Sequence, residues 1–136
     1  SRFGLPEPHV GAIALGGGVH RLARQIGLKQ AMGLILSGDI IDADAANKMG
    51  SITELVDHQD LDATVDRWCE KLLRGAPLAL RASKQTVMYG LDEPSLSDAL
   101  RQQESYPAFK ACYTSADRKE GASAFAEKRP PRWSGS

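Results

Sequence analysis

The residue in this chain best suited to move a proton is Glu7, in Leu5-Pro6-Glu7-Pro8. A proline on each side restricts its backbone, and Pro6 is expected to force an extended turn. A carboxylate on so stiff a turn can be aimed accurately, which general acid–base chemistry requires. The plain alternative is a solvated turn glutamate, the fate of most turn carboxylates. A second feature is Gly16-Gly17-Gly18, which leads into Val19-His20-Arg21-Leu22. Glycine permits close backbone approach, and a helix N-terminus presents N–H groups to an anion or an oxyanion. No Gly-Lys-Ser or Gly-Lys-Thr follows, and the G-x-G-x-x-G spacing is absent, so neither nucleotide-binding fingerprint is present. Close helix packing accounts for the glycines equally well. The third feature is Phe125-Ala126-Glu127-Lys128-Arg129-Pro130-Pro131-Arg132-Trp133. Its cations and two aromatics suit a phosphorylated, ring-bearing ligand. They equally suit a solvated basic tail with a docked Trp133.

Other reactive side chains lack companions. His20 beside Arg21 reads as a surface residue, and His9 and His58 have no neighbours that suggest metal or nucleophile chemistry. Serine and cysteine nucleophile motifs are absent. Cys69 and Cys112 lie far apart with no metal-type spacing. They read as free thiols of a reducing, cytoplasmic setting. Seventeen basic residues balance seventeen acidic ones, so nothing draws the chain to nucleic acid or to an anionic membrane. No apolar run reaches the ~18 residues of a membrane span. At 136 residues, 42% hydrophobic and 25% charged, the composition is that of a globular protein. Only 6% is aromatic, so aliphatic packing must dominate the core.

The elements that must position these groups are mostly helices. Val19, Leu22, Ala23 and Ile26 recur at helical spacing and stop at Gly27. Ala31, Leu34 and Ile35 mark a second helix that closes at Ser37-Gly38. Asp42 is placed to cap a short helix ending at Gly50. Residues Ile52 to Val56 alternate with β-branched side chains and predict a strand. Asp60 or Asp62 opens a helix with Val65, Trp68, Cys69, Leu72 and Leu73 on its apolar face. Pro77 starts another, Ser95 caps the next, Ala108 to Tyr113 is helical, and a further helix starts after Ser115 and runs to Ala126. Pro130-Pro131 ends regular structure. The strand before Glu7 and the one at 52–56 have no visible partners, so the chain reads as the second part of something larger.

Taken in this order, the motifs resemble one family, the enoyl-CoA hydratase/isomerase or crotonase superfamily. The resemblance is carried by Phe3-Gly4-Leu5-Pro6-Glu7, Gly17 to Leu22, Ala31 to Gly38, Ile41 to Gly50, and Asp117 to Arg129. It covers almost the whole chain and resembles the C-terminal half of such an enzyme. It implies an α/β crotonase-like fold, a spiral of ββα units followed by a helical trimerisation region, of which this piece is mostly α. Residues 1–60 would complete the spiral, and residues 61–136 would form the trimerisation and coenzyme A-contacting region. Glu7 matches the family's second catalytic glutamate. Leu15 and Gly16 match substrate-binding positions, and Phe125 and Lys128 match contacts to the adenosine end of coenzyme A. Two departures stand out. Ala14-Leu15 replaces a Pro-Gly common in hydratases, and Leu15 adds bulk where the family's backbone lies beside the catalytic water, leaving room for a divergent substrate. Ser51-Ile52 replaces Leu-Val. The ending Ala126 to Trp133 is similar to carnitinyl-CoA dehydratase-like members.

The resemblance implies an enoyl-CoA hydratase-type lyase that reversibly hydrates a 2-enoyl-CoA thioester. Both oxyanion-hole N–H groups and the other glutamate would lie in the N-terminal half, so this piece alone should be inactive. Coenzyme A enters as part of the substrate, with no separate cofactor and no metal. The expected partners are the acyl-CoA, the N-terminal half, and copies in a homotrimer or hexamer. The alternatives are an enoyl-CoA isomerase or related acyl-CoA enzyme, and a non-catalytic assembly subunit.

Overall fold

The strand leading to Glu7 finds its partner within the chain. In the computed structural model, which describes residues 1–136, β1 (Arg2–Gly4) pairs antiparallel with β2 (Ile40–Asp42). Arg2 lies opposite Asp42, Phe3 opposite Ile41 and Gly4 opposite Ile40. The expectation of an unpartnered first strand is therefore corrected. So is the strand over 52–56, which is irregular backbone. Alternating β-branched residues favour a strand only where a neighbouring strand is available. Here Ile40-Ile41 takes the place beside β1, while Thr53 and Leu55 are exposed.

The chain divides into two compact units, Ser1–Asp60 and Leu61–Ser136. In the first, α1 (Gly18–Gln25), α2 (Leu28–Ser37) and α3 (Ala43–Lys48) accompany the two strands. Asp42 ends β2 and caps α3, its Oδ1 accepting from the Ala45 N–H at 2.8 Å. Such a cap contributes about 1 kcal/mol. Ala14, Ile26, Ala31, Leu34 and Ala46 are buried and form the core of this unit.

The second unit is helical: α4 (Leu61–Leu73), α5 (Pro77–Gly90), α6 (Leu96–Gln102), α7 (Pro107–Thr114) and α8 (Ala116–Ala126). Pro77 and Pro107 sit in the first turns of α5 and α7, where a missing N–H is harmless. Ser95 and Ser115 cap α6 and α8 through the N–H groups of Asp98 and Arg118. Helices α5 and α7 are tied where Gln85 Oε1 accepts from the Ala108 N–H at 2.8 Å. Tyr89 meets Tyr106 edge to face, ring centres 5.1 Å apart. Both cysteines are free. No helix is long and apolar enough to cross a membrane.

Candidate active site

Glu7 opens a single 3-10 turn, Glu7–Val10, rather than the extended segment expected from its prolines. Pro6 adopts ψ 4°, so the chain bends at once, and Pro8 fits because its missing N–H falls in the first turn of the new helix. The turn is fastened at both ends. Within it, the His9 N–H donates to the Pro6 carbonyl, and the Ala12 N–H donates to the Glu7 carbonyl, both at 3.0 Å. His9 Nε2 then donates to the Ser37 carbonyl at the end of α2, at 2.7 Å. Gly38, left-handed at φ +66°, lies so close that an added Cβ would stand 2.9 Å from the His9 ring. A side chain there would push the turn away from α2.

On this fixed turn Glu7 is half-buried. Its Oε2 is buried and accepts no hydrogen bond. A buried acceptor without a donor is a destabilising arrangement that folded proteins mostly avoid. Pro8 of the same turn lines an apolar hollow of about 260 Å³, together with Leu5, Val19, Ile35 and their neighbours.

The glycine run enters the same neighbourhood. Gly17, at φ +95°, is the N-cap of α1 and no side chain caps that helix. At Gly18 a Cβ would meet Leu5 Cδ2 at 2.8 Å, so the helix start lies directly on the segment leading to Glu7. Close packing therefore accounts for Gly18, whereas Gly16 faces open space. Leu15 is 83% exposed. Its N–H donates to the Ile13 carbonyl at 2.7 Å, closing a tight turn. Ala12, Ile13 and Ala14, just before it, line the hollow.

Phe125 and Lys128 belong to the second unit. Phe125 is 88% exposed at the end of α8. Lys128 is the one non-glycine residue with a left-handed backbone, at φ 55°. The helix ends around it: the Lys128 N–H donates to the Phe125 carbonyl at 3.2 Å and the Arg129 N–H to the Ala124 carbonyl at 3.0 Å. This closure normally uses glycine at the left-handed position. Arg129 is held by two carboxylates. Its Nη1 and Nη2 meet Glu120 Oε1 and Oε2 at 2.6 and 3.0 Å, and its Nε meets Glu127 at 2.6 Å. Glu120 is consequently pulled down to about 2, first by Arg129 and then by the Arg132 N–H. Arg129 is pushed up by the same contacts. Lys128, between them, forms no ion pair.

The tail beyond Arg129 is docked, as the bland reading of Trp133 expected. Trp133 Nε1 donates to the Arg74 carbonyl at 2.9 Å, and its ring lies against Gly121 of α8. Asp117, 2% exposed, accepts from the Ser134 N–H and hydroxyl and from the Gly135 N–H. The Ser134 N–H foremost, and then that of Gly135, holds its carboxyl below the usual range.

Glu7, Leu15 and Gly16 thus share the first unit, and Phe125 and Lys128 the second. Residue-by-residue reading missed His9, Asp117 and Glu120. His9 is legible only once Gly38 is known to approach it. Asp117 and Glu120 carried a signal, since with Gly121 and Ala124 they recur at one helical face.

A family model described as enoyl-CoA hydratase/isomerase matches residues 1–136. The chain is 33% identical over 129 residues to a short-chain-enoyl-CoA hydratase of Clostridium acetobutylicum, covering 95% of this chain and 48% of that protein. It is 35% identical to the 2,3-dehydroadipyl-CoA hydratase of Escherichia coli, covering 99% of this chain and 52% of the other. The crystal structure of an enoyl-CoA hydratase from Mycobacterium marinum superposes with TM-score 0.85 at 40% identity, over 100% of this chain and 53% of that one. The chain spans about half the length of the curated relatives it matches. The fold is the crotonase type of these structures, in a mostly helical portion.

Proposed function

This chain belongs to the enoyl-CoA hydratase/isomerase family, and from that premise we propose that it is the C-terminal half of a 2-enoyl-CoA hydratase in which Glu7 is the proton-transfer carboxylate. The observation that carries the reading is the buried Glu7 Oε2 without a donor, on a turn fastened to α2 and beside an apolar hollow. That is an acid–base group held on a fixed turn, as proton transfer to or from a carbon requires. Relatives named as hydratases of enoyl-CoA and dehydroadipyl-CoA support the substrate class.

In the proposed reaction, a glutamate of the N-terminal half takes a proton from water while the water oxygen bonds to the β-carbon. The alkene electrons move toward the thioester, whose oxygen is polarised by two backbone N–H groups of the same half. Glu7 delivers a proton to the α-carbon, and the elements of water are added across the double bond. Leu15 and Gly16 form the wall beside the reacting carbons. Phe125 and Lys128 meet the nucleotide end of coenzyme A, which carries several negative charges suited to an unpaired ammonium. The N-terminal half, and copies in a homotrimer or hexamer, complete the site. No metal and no cofactor beyond the coenzyme A of the substrate take part.

Glu7→Gln in the complete enzyme tests the reading. It keeps the shape and removes the acid–base group, so kcat should fall by ~10²-fold or more with KM little changed. Near-normal turnover would overturn the assignment.

A further inference from the structure

The left-handed backbone at Lys128 has a visible support. A non-glycine residue in this conformation is disfavoured and persists only where its surroundings over-determine it. Here Glu127 and Arg129, on either side of Lys128, are joined to each other at 2.6 Å across it. Arg129 is in turn gripped by both oxygens of Glu120, two turns back on α8. Glu120 Oε1 also takes the Arg132 N–H at 2.8 Å, so the same carboxylate holds the chain on the far side of the bend. Glu120 is one of four residues on a single stripe of α8, with Asp117, Gly121 and Ala124. The returning tail is laid along that stripe. Arg129 and Arg132 sit at Glu120, Trp133 at Gly121, and Ser134 and Gly135 at Asp117. The two carboxylates of the stripe meet the tail by hydrogen bonds, and its small residue Gly121 makes room for the Trp133 ring.

We propose that Glu120 is a positioning residue for the nucleotide end of coenzyme A: by clamping Arg129 it fixes the left-handed bend that presents Lys128. The clamp has a second consequence. It keeps Arg129, the stronger phosphate ligand of the adjacent pair, paired to carboxylates, so that of the two it is Lys128 whose charge is left without an ion pair. The inference rests on the coenzyme A-binding reading of Lys128.

The test measures kcat and KM of the complete enzyme on crotonyl-CoA and on crotonyl-pantetheine, which lacks the nucleotide. Lys128→Ala should raise KM for crotonyl-CoA by about tenfold or more, as loss of a hydrogen bond to a charged group implies, and leave crotonyl-pantetheine unchanged. Glu120→Gln should reproduce this split at about three- to tenfold with kcat retained, and should add nothing in the Lys128→Ala background. Arg129→Lys, which keeps the charge but loses the two-pronged grip, should behave like Glu120→Gln. If Glu120→Gln and Arg129→Lys raise both KM values equally, or act additively with Lys128→Ala, the positioning role is overturned while the Lys128 reading stands. If Lys128→Ala itself treats both substrates alike, the Lys128 reading falls and takes this inference with it.

Discussion

Two residues sit in arrangements that folding alone disfavours, and each belongs to a group proposed to meet substrate. Glu7 buries a carboxylate oxygen without a donor, and Lys128 occupies a backbone region suited to glycine. Strain at such positions is retained where the side chain serves a purpose that stability does not. At Lys128 the two demands separate. Lys128→Gly should relax the bend and raise stability by about 0.5–1 kcal/mol, while removing the ammonium and weakening crotonyl-CoA binding. A urea midpoint that moves up together with KM is the expected outcome. A midpoint that moves down would show that the bend is unstrained and that lysine is there for packing.

At the scale of elements, α8 and the tail form one unit held by buried and half-buried carboxylates. The direction of acid sensitivity follows. Glu120 lies at about 2 in the folded chain against an ordinary 4.5, so the unfolded chain takes up the proton first as pH falls. Its stabilising contribution is whole above pH 4.5 and is lost progressively as pH falls toward 2. Asp117 is shifted in the same direction, held first by the Ser134 N–H, so it adds to the effect. Hydrogen exchange at the Arg132 amide, which donates to Glu120, should therefore show constant protection from pH 7 to about 4.5 and progressive loss as pH falls toward 2. Release of the tail above pH 5 would mean that other contacts hold it.

Across the whole molecule, many large apolar side chains stay exposed. Val10, Ile13, Leu15 and Leu36 are exposed in the first unit, and Leu61, Val65, Leu72 and Leu73 along α4 in the second. Patches of this kind mark surfaces that meet other protein. The proposed occupants are the N-terminal half and symmetry-related copies. Residues 1–136 expressed alone should self-associate in light scattering and fail to hydrate crotonyl-CoA. A monodisperse, active monomer would overturn both the assembly and the proposal that the remaining catalytic groups lie in the other half.

Local rules sufficed for much of this. The capping roles of Asp42 and Ser95, the helix start after Ser115, the first-turn role of Pro77 and the helix order all rest on near neighbours in sequence, and the structure shows them as read. The order of the motifs was enough to identify the family. What depended on distant residues was not legible. Whether 52–56 or 40–42 pairs with β1 is settled by which segment the α2 turn delivers beside Gly4, not by β propensity. The fastening of the Glu7 turn rests on His9 reaching Ser37, 28 residues away, and the bend at Lys128 on Glu120 gripping Arg129 from the preceding helix. Hydrogen bonds within a turn are written into adjacent residues. Those that close a site join residues brought near only by the folded chain, and that is where the tertiary structure decided.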